Sequence, residues 1–338
     1  MQSTHPLPQK VGPSVPEPIP TSILPSTSTK LLDKYALPKV ALTIITLASM
    51  VGAWLTMSTH GVSDLPWVAV RWVHLYALGL MAGGYMWKGF LAKAADDPDK
   101  KPARYAEVRS FAVAQFQRFR HITWVTLAIF AITGAVDLIQ FSRLGVSWPL
   151  WIEATLLSSI IMITLHELYI RRADAPYAEQ PMARLLVVLF VIDLFFQAYF
   201  DVLLSQGAAA WPLLIRWLHL SAFSLWLGGA FWNIFIAVPA ARQTLSIQVV
   251  VAAGRQLERF RVVVRIFLPT LIVTGFIQAY RYVGLSLDAL LYTSIGHIIL
   301  FKIGLIIALV AVFLTCPLWR ACSPISGMCK LDDLYGHE

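Results

Sequence analysis

Read from one end to the other, the chain alternates long apolar runs with short polar breaks, and eight of the runs are near 20 residues or longer. Crossing about 30 Å of hydrocarbon at 1.5 Å per residue takes roughly 20 residues. The pattern predicts spans near 38–58, 66–90, 121–141, 148–170, 183–204, 211–238, 263–283 and 290–315. The runs are continuously apolar rather than alternating, which favours helices over a β-barrel, because each helix satisfies its own backbone in lipid. The expected fold class is therefore all-α: a polytopic membrane helical bundle of eight transmembrane helices. Residues 1–37 carry Pro6, Pro13, Pro16, Pro18, Pro20 and Pro25 among Ser and Thr, and hold no signal-like apolar core. They read as a retained disordered tail, and 316–338 as a second tail.

Composition agrees with lipid rather than water as the solvent. The 338 residues are 57% hydrophobic and 14% charged, whereas soluble domains run near 45–50% apolar and about 25% charged. Three Cys among 338 residues exclude a disulfide framework. The net charge of +8 matters through its placement. Lys88, Lys93, Lys100, Lys101, Arg104, Arg109, Arg118 and Arg120 fall between the second and third spans, while 59–65 and 205–210 hold no Lys or Arg. Positive loops stay inside, so both termini are expected in the cytoplasm of a multi-pass plasma-membrane protein. Anionic headgroups of the lipid bilayer, and no nucleic acid, are the expected partners of these loops.

The chain also repeats itself. Arg71-Trp72-Val73-His74-Leu75 returns 145 residues later as Arg216-Trp217-Leu218-His219-Leu220, and Gly83-Gly84 returns as Gly228-Gly229. Arg118-Phe119-Arg120 and Thr133-Gly134 return 141 residues on as Arg259-Phe260-Arg261 and Thr274-Gly275. Two tandem units, 38–172 and 183–315, are expected. Four spans each give them the same orientation, with a binding site between the halves.

Candidate chemistry follows from side chains that are costly in hydrocarbon. His74, His219 and His297 share one expected depth near the outer surface, where neutral imidazole could bind copper. Met57, His60 and Met81 add the thioether and imidazole donors of a Cu(I) entrance. An alternative joins His74 and His219 with His121 and His166 at the inner side, as ligands of two b-type haems. Arg71 and Arg216 are expected to pair with Asp137 and Asp201, and Asp193 with Lys302 near mid-membrane. Beyond the last span, Cys322 and Cys329 are candidate inner-side thiols. No P-loop, dinucleotide fingerprint, zinc-protease motif or nucleophile elbow is present, and no enzyme activity is expected.

Several of these residues carry a resemblance. Leu218-His219-Leu220 with Trp226-Leu227-Gly228-Gly229, then Arg259-Phe260, Val273-Thr274-Gly275, and Thr293 to Lys302 with Gly296 resemble the membrane domain of the copper-resistance D (CopD) family. Residues 215–312 carry the likeness, and 66–170 resemble a degenerate copy. The chain departs from the family at Ile295-Gly296-His297, where Tyr-Gly-Arg is usual, and lacks a terminal Asn-Arg pair. The resemblance implies copper movement across or into a bacterial inner membrane, beside a periplasmic copper-binding partner. The rival expectation is a b-haem electron-transfer subunit or membrane anchor of an oxidoreductase.

Overall fold

A computed structural model describes residues 36–62, 64–92, 102–143, 145, 148–170, 180–207, 209–244 and 246–315. Its helices are α1 (Ala36–Thr59), α2 (Leu65–Met86), α3 (Pro102–Arg143), α4 (Trp148–Tyr169), α5 (Gln180–Gln206), α6 (Ala210–Phe231), α7 (Val238–Gln243), α8 (Ile247–Val283), α9 (Leu287–Tyr292) and α10 (Ser294–Thr315). Among the described residues there is no strand. Eight helical segments are long and apolar enough to cross a membrane, so the chain is an all-α, multi-pass helical bundle. Residues 36 and 37 of the predicted first tail open α1; the rest of both tails, with Cys322 and Cys329, lies outside the described residues.

The third and seventh membrane helices run well past their predicted starts. At 42 and 37 residues, α3 and α8 extend to roughly 63 and 55 Å, longer than a bilayer is thick. What reads as a loop from Lys88 to Arg120 is therefore largely helix carrying Arg109, Arg118 and Arg120. Lys88 belongs to neither loop nor surface: it is buried and bonded to Glu167, whose other oxygen accepts from the Tyr85 hydroxyl at 3.1 Å.

Helices α2 and α6 form the centre, and what lets them meet is the absence of side chains. A Cβ on Gly83 would strike the Ser224 carbonyl and come 2.7 Å from the Gly228 Cα. The adjoining glycines seat aromatic rings from α3 and α8. A Cβ on Gly84 would collide with Phe119, and one on Gly229 would lie 2.8 Å from Phe260. Small residues are the usual means of close helix approach in lipid, where no hydrophobic effect drives association. Just beyond, both helices widen into a π-helical turn, at Trp87–Leu91 and Trp232–Ala237. The two leading Trp stand 145 residues apart in sequence and stack at 6.4 Å.

Around this centre, α3 packs on α2 and α8 on α6, so each pair stays within one copy. The first helices cross over: α1 packs chiefly against α10, and α5 against α4, α2 and α6. Each copy's opening helix thus lies against the closing helix of the other. Two bundles result, a first of α2–α5 and a second of α6, α8, α10 and α1.

Candidate functional site

His74 and His219 are set by the same two residues in each copy, a Thr and the Gly that follows it. The His74 Nδ1 lies 3.2 Å from the Thr133 Oγ1, and the His219 Nδ1 lies 2.8 Å from the Thr274 Oγ1. Each Thr hydroxyl donates its own hydrogen one turn back, to Ile129 at 2.7 Å and to Thr270 at 2.6 Å. The Thr oxygen must then accept from an imidazole N–H, which fixes the tautomer and leaves Nε2 as the nitrogen with a lone pair. The next residue makes room for the ring. A Cβ on Gly134 would come 3.0 Å from His74 Cε1, and one on Gly275 3.4 Å from His219 Cε1. His74 also stacks on Phe130 at 5.1 Å.

The two rings do not share one site. His74 and Gly83, and likewise His219 and Gly228, are nine residues apart, which at 100° per residue places each ring on the face opposite the α2–α6 crossing. Each imidazole turns into its own bundle. The expectation of one ion held between the halves by both is therefore corrected to two separate pockets.

Above the rings lies a chain of buried polar groups. Asp193, Gln197 and Asp201 follow at four-residue steps along one face of α5. Arg71 bonds Asp137, the Gln197 side chain and, at 2.9 Å, Asp201 Oδ1. Arg216 bonds the other oxygen of Asp201 at 2.7 Å and Gln278 at 3.2 Å. Gln278 stands 141 residues after Asp137, so the repeat keeps the arginine and replaces its carboxylate by an amide. The expected partners Asp137 and Asp201 are thus the observed ones.

Below Asp201, the bundles differ in charge. In the first, Gln197 Nε2 donates to Glu153 Oε1 at 2.6 Å and to Asp193 Oδ1 at 3.2 Å. Glu153 and Asp193 also adjoin one another as a hydrogen-bonded pair of buried carboxyls, and Asp193 acts electrostatically on His74. In the second, Gly52 holds the place of Gln197, 145 residues earlier, and the Lys302 ammonium lies against it. The expected Asp193–Lys302 pair does not form. Equal depth put both near mid-membrane, but Asp193 faces α4 in one bundle while Lys302 faces α1 in the other.

Comparison of the chain with family models, with curated proteins and with solved structures finds no match.

The remaining candidates are scattered. His297 is exposed, its Nε2 lying 2.7 Å from the Leu291 carbonyl across the break between α9 and α10. Met81 is buried, but seven residues along α2 from His74, about 10 Å by helical rise. Met57 is buried in the last turn of α1, and His60 follows it. The His60 Nε2 lies 2.9 Å from the Asp201 carbonyl oxygen, and burial holds this imidazole below its usual value of 6.5. His121 and His166 are exposed. His121 stands twelve residues before Thr133 on α3, about 18 Å from the level of His74. Of the pairs in the haem alternative, His74 and His219 turn into different bundles, while His121 and His166 lie exposed toward the other ends of α3 and α4. Among the described residues, no three His, Cys, Asp or Glu side chains converge on one point.

Sequence reasoning missed Glu153 and Gln197 and the burial of Lys88. For Glu153 and Gln197 the signal was present, since both are polar residues inside predicted spans.

Proposed function

We propose that the chain is a copper-handling protein of a bacterial inner membrane, with both termini cytoplasmic, that binds copper in its first bundle and passes it across or into the bilayer. The observation that carries this reading is His74: a buried imidazole whose Nδ1–H is tied to Thr133, leaving Nε2 as a donor. Metal-binding imidazoles are commonly held in this way, with the second nitrogen bonded to a fixed oxygen. The resemblance of the repeated motifs to the CopD family supports the same reading.

Copper is placed in the first bundle because charge favours it there. Four buried carboxyl groups, those of Asp137, Glu153, Asp193 and Asp201, stand near two guanidiniums, those of Arg71 and Arg216, and the lower pair, Glu153 and Asp193, bond one another. A cation at His74 would take the place of the proton that two such adjoining carboxyls share. The second bundle sets Lys302 and Arg216 beside His219, a setting that repels a cation. The donors near His74 are nitrogen and oxygen, a set suited to Cu(II), while Met57 and Met81 lie elsewhere as soft donors along the route. His74 would hold the ion through Nε2, with Asp193 acting on it electrostatically from α5.

The test is copper retained by purified protein after desalting. Wild type should keep copper, His74→Ala should lose it, and His297→Ala should match wild type. Equal retention by His74→Ala and wild type would contradict the assignment.

A further inference from the structure

The second bundle contains a cation that no described residue neutralises. Lys302 lies on α10, eight residues or about 12 Å from its start at Ser294. Among the described residues it makes no ion pair and no hydrogen bond, and the charged group acting most on it is another cation, Arg216. An unpaired ammonium at such depth costs several kcal/mol. No described residue supplies the partner that such a group calls for.

The surroundings suit an incoming ligand. Lys302 opens into a cavity of about 50 Å³ among α1, α2, α6 and α10, walled on one side by Leu75, Leu220 and Phe223. The polar groups on the α1–α2 side are already occupied: Trp72 Nε1 donates to Ser49 at 2.9 Å, and the Tyr76 hydroxyl bonds Thr46 at 2.9 Å. The free donor there is the Lys302 ammonium. Arg216 lines this cavity and also a second of about 20 Å³, nearer the turn that joins α5 to α6, where Arg281 stands. Arg281, Arg216 and Lys302 thus mark successive depths, and Asp201 is engaged by both Arg71 and Arg216.

We propose that this cavity binds a small monocarboxylate that enters past Arg281 and Arg216, its carboxylate on Lys302 and its short apolar part against Leu75, Leu220 and Phe223. The site is distinct from the copper pocket and does not depend on it. Gly52 leaves room for the ammonium, since a Cβ there would come 2.9 Å from Lys302 Nζ.

The probe is trifluoroacetate, followed by the width of its fluorine NMR line over the full-length protein in lipid nanodiscs. Wild type should broaden the line, acetate should reverse the broadening, and chloride at equal concentration should not. Lys302→Gln should weaken binding about tenfold or more, the loss of one well-placed charge contact, and Lys302→Arg should retain it. Gly52→Leu fills the cavity and leaves the charge, so it should abolish the effect even where Lys302→Gln folds poorly. Equal broadening in wild type and Gly52→Leu, or equal reversal by chloride, would overturn the proposal. Copper retention measured on the same samples should not change, which separates failure here from failure of the copper reading.

Discussion

Arg71 and Arg216, the same residue in the two copies of the repeat, are held by the two oxygens of one carboxylate, Asp201. This joint ties α2, α5 and α6 together. Asp201→Asn should therefore cost about 3–5 kcal/mol, the range for breaking a buried ion pair. Asp137→Asn should cost less, because Arg71 keeps Asp201 and Gln197. Thermal unfolding of the detergent-solubilised protein measures both, and a smaller loss for Asp201→Asn than for Asp137→Asn would contradict the ranking.

The crossing of α2 and α6 makes a second prediction. Gly83→Ala forces a methyl into the Ser224 carbonyl and Gly228, so the helices must part, at a cost of about 1–3 kcal/mol or more. Gly304→Ala, where nothing lies within 4 Å of the new carbon, should be neutral or slightly stabilising. Retention of the folded form in detergent on heating distinguishes them.

His60 predicts a pH dependence. Its Nε2 is engaged by the Asp201 carbonyl and its Nδ1 is buried without a partner, so a second proton finds no acceptor. Because folding holds this group below its usual 6.5, the stability it contributes is present above 6.5 and is lost as pH falls from there toward the depressed value. The unfolding midpoint should drop between about pH 7 and 5, and the drop should be smaller in His60→Gln. An equal slope in the two proteins would contradict it.

The spans were legible because hydrocarbon imposes one requirement, a run of apolar residues, that any window along the chain can test. Asp137 and Asp201 were legible as arginine partners because depth alone nearly determines them. Asp193 and Lys302 show where depth fails: they sit at similar levels but on differently directed faces, and direction around the axis depends on which helices are neighbours. Those neighbours were not readable, since the exchange of α1 and α5 between the copies leaves every span and offset unchanged. The π-helical turns at Trp87 and Trp232 also have no composition signal. The meaning of the repeated glycines became visible only with the rings of Phe119, Phe260 and the two histidines in place.

The distinction between the bundles is open to charge removal. Glu153→Gln with Asp193→Asn removes both carboxyls near His74 while keeping side-chain size. Copper retention should fall several-fold in the double variant, and the fluorine NMR response of the Lys302 cavity should persist. Loss of both together would indicate general misfolding of the bundle, and retention of copper would remove the carboxylates from the site.

The most direct measurement is the X-ray absorption spectrum at the copper edge of the loaded, purified protein. The account predicts a first shell of nitrogen and oxygen with the outer-shell scattering of imidazole, and the loss of that imidazole signal in His74→Ala. A first shell dominated by sulfur, or a spectrum unchanged by His74→Ala, would contradict it.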